Sequence, residues 1–139
     1  MRIESSRRLI DTVAWVLIDE GRILCARPRD KHEFYIPGGK REGAETDRQT
    51  LIREVAEELT VTLLPSSILH VGTYEADVPG DEPVAVRMGC YTAEYTGTLT
   101  PSSEIAEIAW FTYADRDAVP PVDRILFDDL VARGMLPRR

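Results

Sequence analysis

The sequence predicts an α/β fold, a mixed β-sheet held between helices, and two observations predict it. Strand-like runs, a helical run, further strand-like runs and a second helical run follow one another in that order. Each helical run also carries an apolar flank that needs a sheet to cover. Leu51, Ile52, Val55 and Leu59 form the first flank, and Val122, Ile125, Leu126, Leu130 and Val131 form the second. At 139 residues the chain is expected to form one domain, residues 1–139, long enough to bury a core without disulfide staples.

Taken in order, Leu9 to Ile18 reads as a strand, because Val13, Trp15, Val16 and Leu17 sit in a β-rich run. Asp19-Glu20-Gly21 is a turn, and Arg22 to Arg27 returns as its hairpin partner. Pro28 to Glu33 is a polar loop. Phe34-Tyr35-Ile36 is a short strand that stops at Pro37-Gly38-Gly39, where a proline and two glycines permit a tight turn and bring carbonyls close to a ligand. The first helix is expected over Ala44 to Leu59. Val61-Thr62-Leu63, a turn at Pro65-Ser66-Ser67, a strand at Leu69 to Glu75 and a loop at Val78 to Pro83 follow. Val84, Val86, Met88 and Cys90 alternate with Ala85, Arg87 and Gly89, a period-two strand expected to continue through Tyr91 to Tyr95. Pro101 to Phe111 is a loop that becomes a strand. Pro120-Pro121 cannot sit inside a helix but can precede one, and Gly134 reads as the cap that ends it.

Composition narrows the function. The chain is 43% hydrophobic and 29% charged, as in ordinary globular proteins. No run approaches the length of a membrane span, and the start at Met1 to Arg8 lacks the apolar stretch of a signal peptide. A cytoplasmic protein with no membrane partner is expected. A net charge of −7 argues against a binder of nucleic acid polymers, and leaves room for a small polyphosphate that arrives with its own metal ions. Cys25 and Cys90 match no metal or redox spacing and are expected to be two buried thiols.

The first helical run carries a second, acidic flank. Glu54 with Glu57, and Glu54 with Glu58, are like-charge pairs at i,i+3 and i,i+4, each costing an isolated helix roughly 0.2–0.5 kcal/mol. Three convergent carboxylates on a rigid element suit Mg²⁺, or Mn²⁺, hard cations that take oxygen ligands and keep waters for substrate phosphates. A solvated acidic face is the plainer alternative for these three glutamates alone. Arg53, next to Glu54, is expected to point away from them and to brace Glu45 or the preceding loop.

The spacing around these glutamates is specific. Gly39, five residues, Glu45, seven residues, then Arg53-Glu54-Val55-Ala56-Glu57-Glu58-Leu59-Thr60-Val61 resembles the signature of the Nudix hydrolases, GX5EX7REUXEEXGU with U a bulky aliphatic. Eight of the nine specified positions match across 23 residues, and Thr60 stands where the family has glycine. Glycine there supplies a left-handed helix exit that a β-branched residue adopts with strain. The resemblance, to MutT-like members in particular, implies the α/β/α sandwich of that family over nearly the whole chain. It also implies hydrolysis of a nucleoside diphosphate linked to another moiety, with a divalent metal held by Glu54, Glu57, Glu58 and the Gly38 carbonyl. Arg53 and Glu45 take the supporting role.

The reading of the remaining site residues stays open where the residues leave it open. Glu104, before Trp110, resembles an extra metal-binding or catalytic glutamate of the family's bacterial 8-oxo-dGTP pyrophosphohydrolases, and Glu107 is its rival; either is also an ordinary loop carboxylate. Asp123 resembles, by position, the residue that reads the base in those enzymes. A carboxylate in a first helical turn is also favoured by the helix dipole alone. Phe34 and Tyr35 can stack on a base or belong to the core. Arg27, Arg29, Lys40, Arg41 and Arg87 are candidates for phosphates, while His32 and His70 are structural. The expected substrate is a small nucleotide, foremost a nucleoside triphosphate, oxidised purine forms included, cleaved to monophosphate and pyrophosphate. ADP-ribose, nucleotide sugars and dinucleoside polyphosphates are the alternatives, and a silent nucleotide sensor is the alternative of another class. The assembly is expected to be a monomer or a homodimer.

Overall fold

The structure is a computed structural model that describes residues 7–139, so the sequence reading of Met1 to Ser6 lies outside the described residues. In chain order the elements are β1 (Arg8–Trp15), β2 (Ile18–Asp19), β3 (Arg22–Pro28), β4 (Gly38–Lys40), α1 (Asp47–Leu59), β5 (Thr62–Leu63), β6 (Leu69–Asp77), β7 (Val84–Thr92), β8 (Tyr95–Thr96), β9 (Ile105–Phe111) and α2 (Pro121–Ala132). Among them, no helix is long and apolar enough to cross a membrane.

The period of two along β1 builds the sandwich. Val13 and Trp15 pack with Leu51, Val55 and Leu59 of α1, while Ala14 and the following Val16 pack with Leu126, Phe127 and Leu130 of α2. β3 divides the same way, Leu24 toward α1 and Ile23 and Cys25 toward α2. The strands thus lie between the two helices. One mixed sheet runs β4-β1-β7-β6, in which β1 and β7 are parallel; a second runs β2-β3-β9, and β5 pairs with β8. Cys25 and Cys90 are buried free thiols.

Several boundaries differ from the sequence reading, each for a physical reason. The run Leu9 to Ile18 is not one strand. β1 ends at Trp15 and joins β4 and β7, and only Ile18 and Asp19 pair back onto β3. A segment buried on both faces has no alternation to mark where it changes sheets. Phe34 to Ile36 contributes a single bridge, Tyr35 to Ala26, and the paired segment is Gly38 to Lys40. The glycines serve close strand contact rather than a loop: Gly38 has φ +152°, and a Cβ there would meet the Val13 carbonyl oxygen at 1.9 Å. β7 stops at Thr92 because the next backbone groups are taken elsewhere. The Ala93 carbonyl accepts the Trp15 indole N–H at 3.3 Å, and the Glu94 N–H donates to Ser67 Oγ at 2.8 Å.

Helix α1 starts at Asp47, three residues later than expected, because Thr46 and Gln49 form a capping box. The Gln49 N–H donates to Thr46 Oγ1 at 3.2 Å, and the Thr46 N–H donates to Gln49 Oε1 at 2.9 Å. At the other end Thr60 adopts the left-handed exit, φ 59° and ψ 28°, and its N–H closes the last turn on the Ala56 carbonyl. Its hydroxyl donates to the Leu59 carbonyl at 2.6 Å. The departure from glycine therefore keeps the backbone path.

Candidate active site

The carboxyl groups of Glu58 and Glu54 come against β4 where α1 crosses it. Glu58 is 7% exposed, and its Oε1 accepts the Gly38 N–H at 3.1 Å. Burial pushes its pKa up to about 8; the Gly38 N–H works against this, while the charges of Glu54, Glu104 and Glu57 add to it. Burial also raises Glu54, against the pull of Arg53 and with the help of Glu57 and Glu104. Gly39 lets the helix come this close: a Cβ there would lie 2.4 Å from Glu54 Cδ.

Arg53 does not point away from the cluster. Its Nε and Nη2 grip Glu45 at 2.7 and 2.9 Å, which with the Glu42 N–H and the Thr50 hydroxyl holds the Glu45 pKa down to about 2. Nη2 also donates to the Lys40 carbonyl at 3.2 Å, bracing the loop, while Nη1 reaches Glu54 at 3.0 Å and Glu57 at 3.5 Å. Arg53 and Glu57 are themselves an i,i+4 pair.

This donor set fits a divalent cation. Glu58 and Glu104 form no ion pair among the described residues, and one guanidinium, mostly committed to Glu45, faces the other carboxylates. A buried carboxyl pressed by like charges and held by one N–H is short of positive charge, and hard oxygen donors suit Mg²⁺ or Mn²⁺. No three acidic, imidazole or thiol groups among the described residues stand gathered as ready ligands, since Glu54 and Glu57 are turned to Arg53.

A cavity of about 540 Å³ opens beside the cluster, and Gly38, Lys40, Glu58, Tyr35, Lys31 and Asp123 line it. Asp123 is not a solvated first-turn charge. It is 3% exposed, and its Oδ2 accepts the Ile36 N–H at 2.9 Å. Burial raises its pKa to about 7 against that bond, and Glu33 adds to the rise. The folded chain thus keeps a proton that the unfolded chain releases near pH 3.8, so stability from this group falls as pH rises through about 7. Asp123→Asn is expected to lose less stability than the parent between about pH 5 and pH 8, the difference being about 2–3 kcal/mol at most. Urea midpoints at the two pH values measure it, and equal losses would remove Asp123 as the cause.

Three expected substrate residues stand elsewhere. Phe34 packs on Phe111, ring centres 4.9 Å apart, within the α2-side core, because an aromatic on this segment has a core face to fill; Tyr35 takes the cavity side. Arg27 gives its Nε to Glu107 at 2.9 Å and its Nη1 to the Lys31 carbonyl at 2.9 Å. Arg87 pairs with Glu75 at 3.5 Å, and as the residue between Val86 and Met88, both of which line the cavity, it projects from the opposite face of β7. Glu107 is thereby occupied, while the charge of Glu104 acts on Glu54 and Glu58. Lys31 was hidden in a segment legible only as a polar loop.

The NUDIX domain model matches residues 8–130. No curated protein matches the sequence. Among solved structures, the ORF135 protein of E. coli, 25% identical, superposes with a TM-score of 0.73 over 96% of each chain. A MutT NUDIX hydrolase from Burkholderia pseudomallei is 18% identical with a TM-score of 0.71, over 88% of this chain and 98% of its own. The MutT protein from Methanosarcina mazei Go1 is 20% identical with a TM-score of 0.74, over 94% and 99%. The fold expected from the order of strands and helices is the fold of these proteins.

Proposed function

The chain belongs to the Nudix family, pyrophosphohydrolases that act on a nucleoside diphosphate linked to another moiety, and from that premise we propose that it cleaves nucleoside triphosphates, oxidised purine forms included, to monophosphate and pyrophosphate. One observation carries the choice: Glu58 of the carboxylate cluster and the buried Asp123 line the same cavity. At about 540 Å³ it suits one small molecule, within the roughly 300–1,000 Å³ of such sites.

Glu54, Glu57 and Glu58, with the Gly38 carbonyl, would hold Mg²⁺ or Mn²⁺. When bound, the ion neutralises phosphate charge and makes a water acidic enough to attack phosphorus. Arg53 holds Glu45 and the Lys40 carbonyl, and so keeps the β4–α1 connection over the cluster. Glu104, which unlike Glu107 carries no ion pair among the described residues, takes the proton of the attacking water. Asp123 meets a donor on the base edge through its carboxylate and can itself donate when protonated, while Tyr35 offers an aromatic wall.

The test is product release with Mg²⁺ and with Mn²⁺ across deoxynucleoside and nucleoside triphosphates, 8-oxo-dGTP, ADP-ribose, nucleotide sugars and dinucleoside polyphosphates, with Glu58→Gln alongside. Turnover of a triphosphate that disappears in the variant is expected. Turnover confined to ADP-ribose, a sugar or a dinucleoside would move the substrate to that class, and no turnover with no thermal shift on adding metal would leave a silent domain.

A further inference from the structure

Only two of the chain's 17 basic residues are lysines, Lys31 and Lys40; every other one is arginine. Both lysines line the cavity, and no arginine does. The other charged residues on its wall are Glu33, Glu58, Asp77 and Asp123, all acids. Neither lysine forms an ion pair among the described residues, whereas Arg27, Arg41, Arg53, Arg87 and Arg116 are each engaged by a carboxylate. Arginine's planar fork is suited to fixed carboxylate partners, and a lysine is a compact charge on a flexible stem that can follow a mobile anion.

The turn that carries Lys31 is held firmly. The Lys31 N–H donates to the Pro28 carbonyl at 3.1 Å, and the Lys31 carbonyl accepts Arg27 Nη1 at 2.9 Å. Arg27 is fixed in turn by Glu107. The same turn is tied to the segment of Glu104, since the Arg29 N–H donates to the Glu104 carbonyl at 2.8 Å and Arg29 Nε to the Ser103 carbonyl at 3.4 Å. The same segment is bonded to the carboxylate helix, since the Ser102 N–H donates to the Glu58 carbonyl at 2.9 Å. The Lys31 turn is therefore anchored at the carboxylate end of the site.

We propose that Lys31 binds the phosphate chain of the substrate at this end of the cavity, with Arg27 as the positioning residue that holds the Lys31 turn. The inference deepens the proposed nucleotide hydrolysis and rests on it for the identity of the anion. A triphosphate brings more negative charge than one divalent ion offsets, and a wall otherwise acidic would repel the remainder. Lys31 supplies charge from the turn after β3, in addition to Lys40 at the end of β4.

The experiment is calorimetric titration of inorganic tripolyphosphate, with Mg²⁺ present, into the parent, Lys31→Ala and Lys31→Arg, alongside steady-state kinetics on the best triphosphate. Lys31→Ala is expected to bind tripolyphosphate about five- to tenfold more weakly and to raise KM with kcat little changed, while Lys31→Arg recovers most of the affinity. Lys31 is exposed, so the variants are expected to melt with the parent. Equal affinity of Lys31→Ala and the parent would overturn the assignment even if nucleotides are hydrolysed. Failure of the parent to hydrolyse any nucleotide would instead count against the proposed function, because the binding comparison reads Lys31 without turnover.

Discussion

Replacing Glu58 by glutamine is expected to lower turnover by about 10²–10³-fold while leaving the metal-free protein at least as stable as its parent. The two halves of that expectation have one cause. Glu58 is 7% exposed, and burial, with the charges of Glu54, Glu104 and Glu57 behind it, lifts its pKa to about 8, so its negative charge is unfavourable until a cation meets it. Glutamine keeps an oxygen to accept the Gly38 N–H, removes the charge that Glu54, Glu104 and Glu57 repel, and removes the charge that a cation requires. Alanine at the same position is a poorer probe, since it would leave the Gly38 N–H unpaired at a cost of roughly 1–3 kcal/mol. Melting with and without Mg²⁺, set beside kcat/KM, separates the effects: the parent should gain stability from the metal and Glu58→Gln should not. Activity within tenfold of the parent would mean that the Glu58 charge is not used.

How much of this was legible in the chain depends on the range over which the cause acts. The glutamates, Arg53 and Glu45 lie within a few helical turns, so spacing alone brings them together, and the structure confirms the apolar flank of Leu51, Val55 and Leu59 beneath them. The direction of Arg53 is not legible from spacing, because its long side chain serves Glu45 and still reaches Glu54 and Glu57, which no count of residues per turn reveals. The start of α1 was available in the sequence as the Thr46 and Gln49 capping pair. The cavity was not available, because its walls come from β1, β3, β4, α1, β6, β7, β9 and α2 and from loops between them. Residue type suggested five candidate cations for phosphate and passed over Lys31, since a basic residue in a polar loop has no local sign of what it faces. Asp123 was visible as a first-turn acid, but its burial follows from the packing of α2 against the segment that presents the Ile36 N–H.

Gly38→Ala is expected to be the most destabilising single change at the site, costing about 3 kcal/mol or more, whereas Gly39→Ala should cost activity with a smaller loss of stability. The neighbours that each new methyl would meet decide the difference. At Gly38 the methyl would lie 1.9 Å from the Val13 carbonyl oxygen and 2.8 Å from Ala14 Cα, both backbone atoms of β1. β1 cannot yield, because its far side is paired with β7 along its whole length, from Arg8 to Trp15. β4 must therefore move, and with it goes the N–H that holds Glu58. The φ of +152° adds strain that no L side chain relieves. At Gly39 the methyl would meet Glu54 Cδ at 2.4 Å and its oxygens at 2.6 and 2.7 Å. That group is the far end of a flexible side chain, which can rotate aside at the expense of its place in the carboxylate cluster. Urea midpoints and kcat/KM for the two variants test the pairing of effects. A Gly39→Ala protein with parental activity would show that Glu54 need not stand where β4 holds it, and a Gly38→Ala protein of parental stability would show that β1 and β4 do not depend on their close approach.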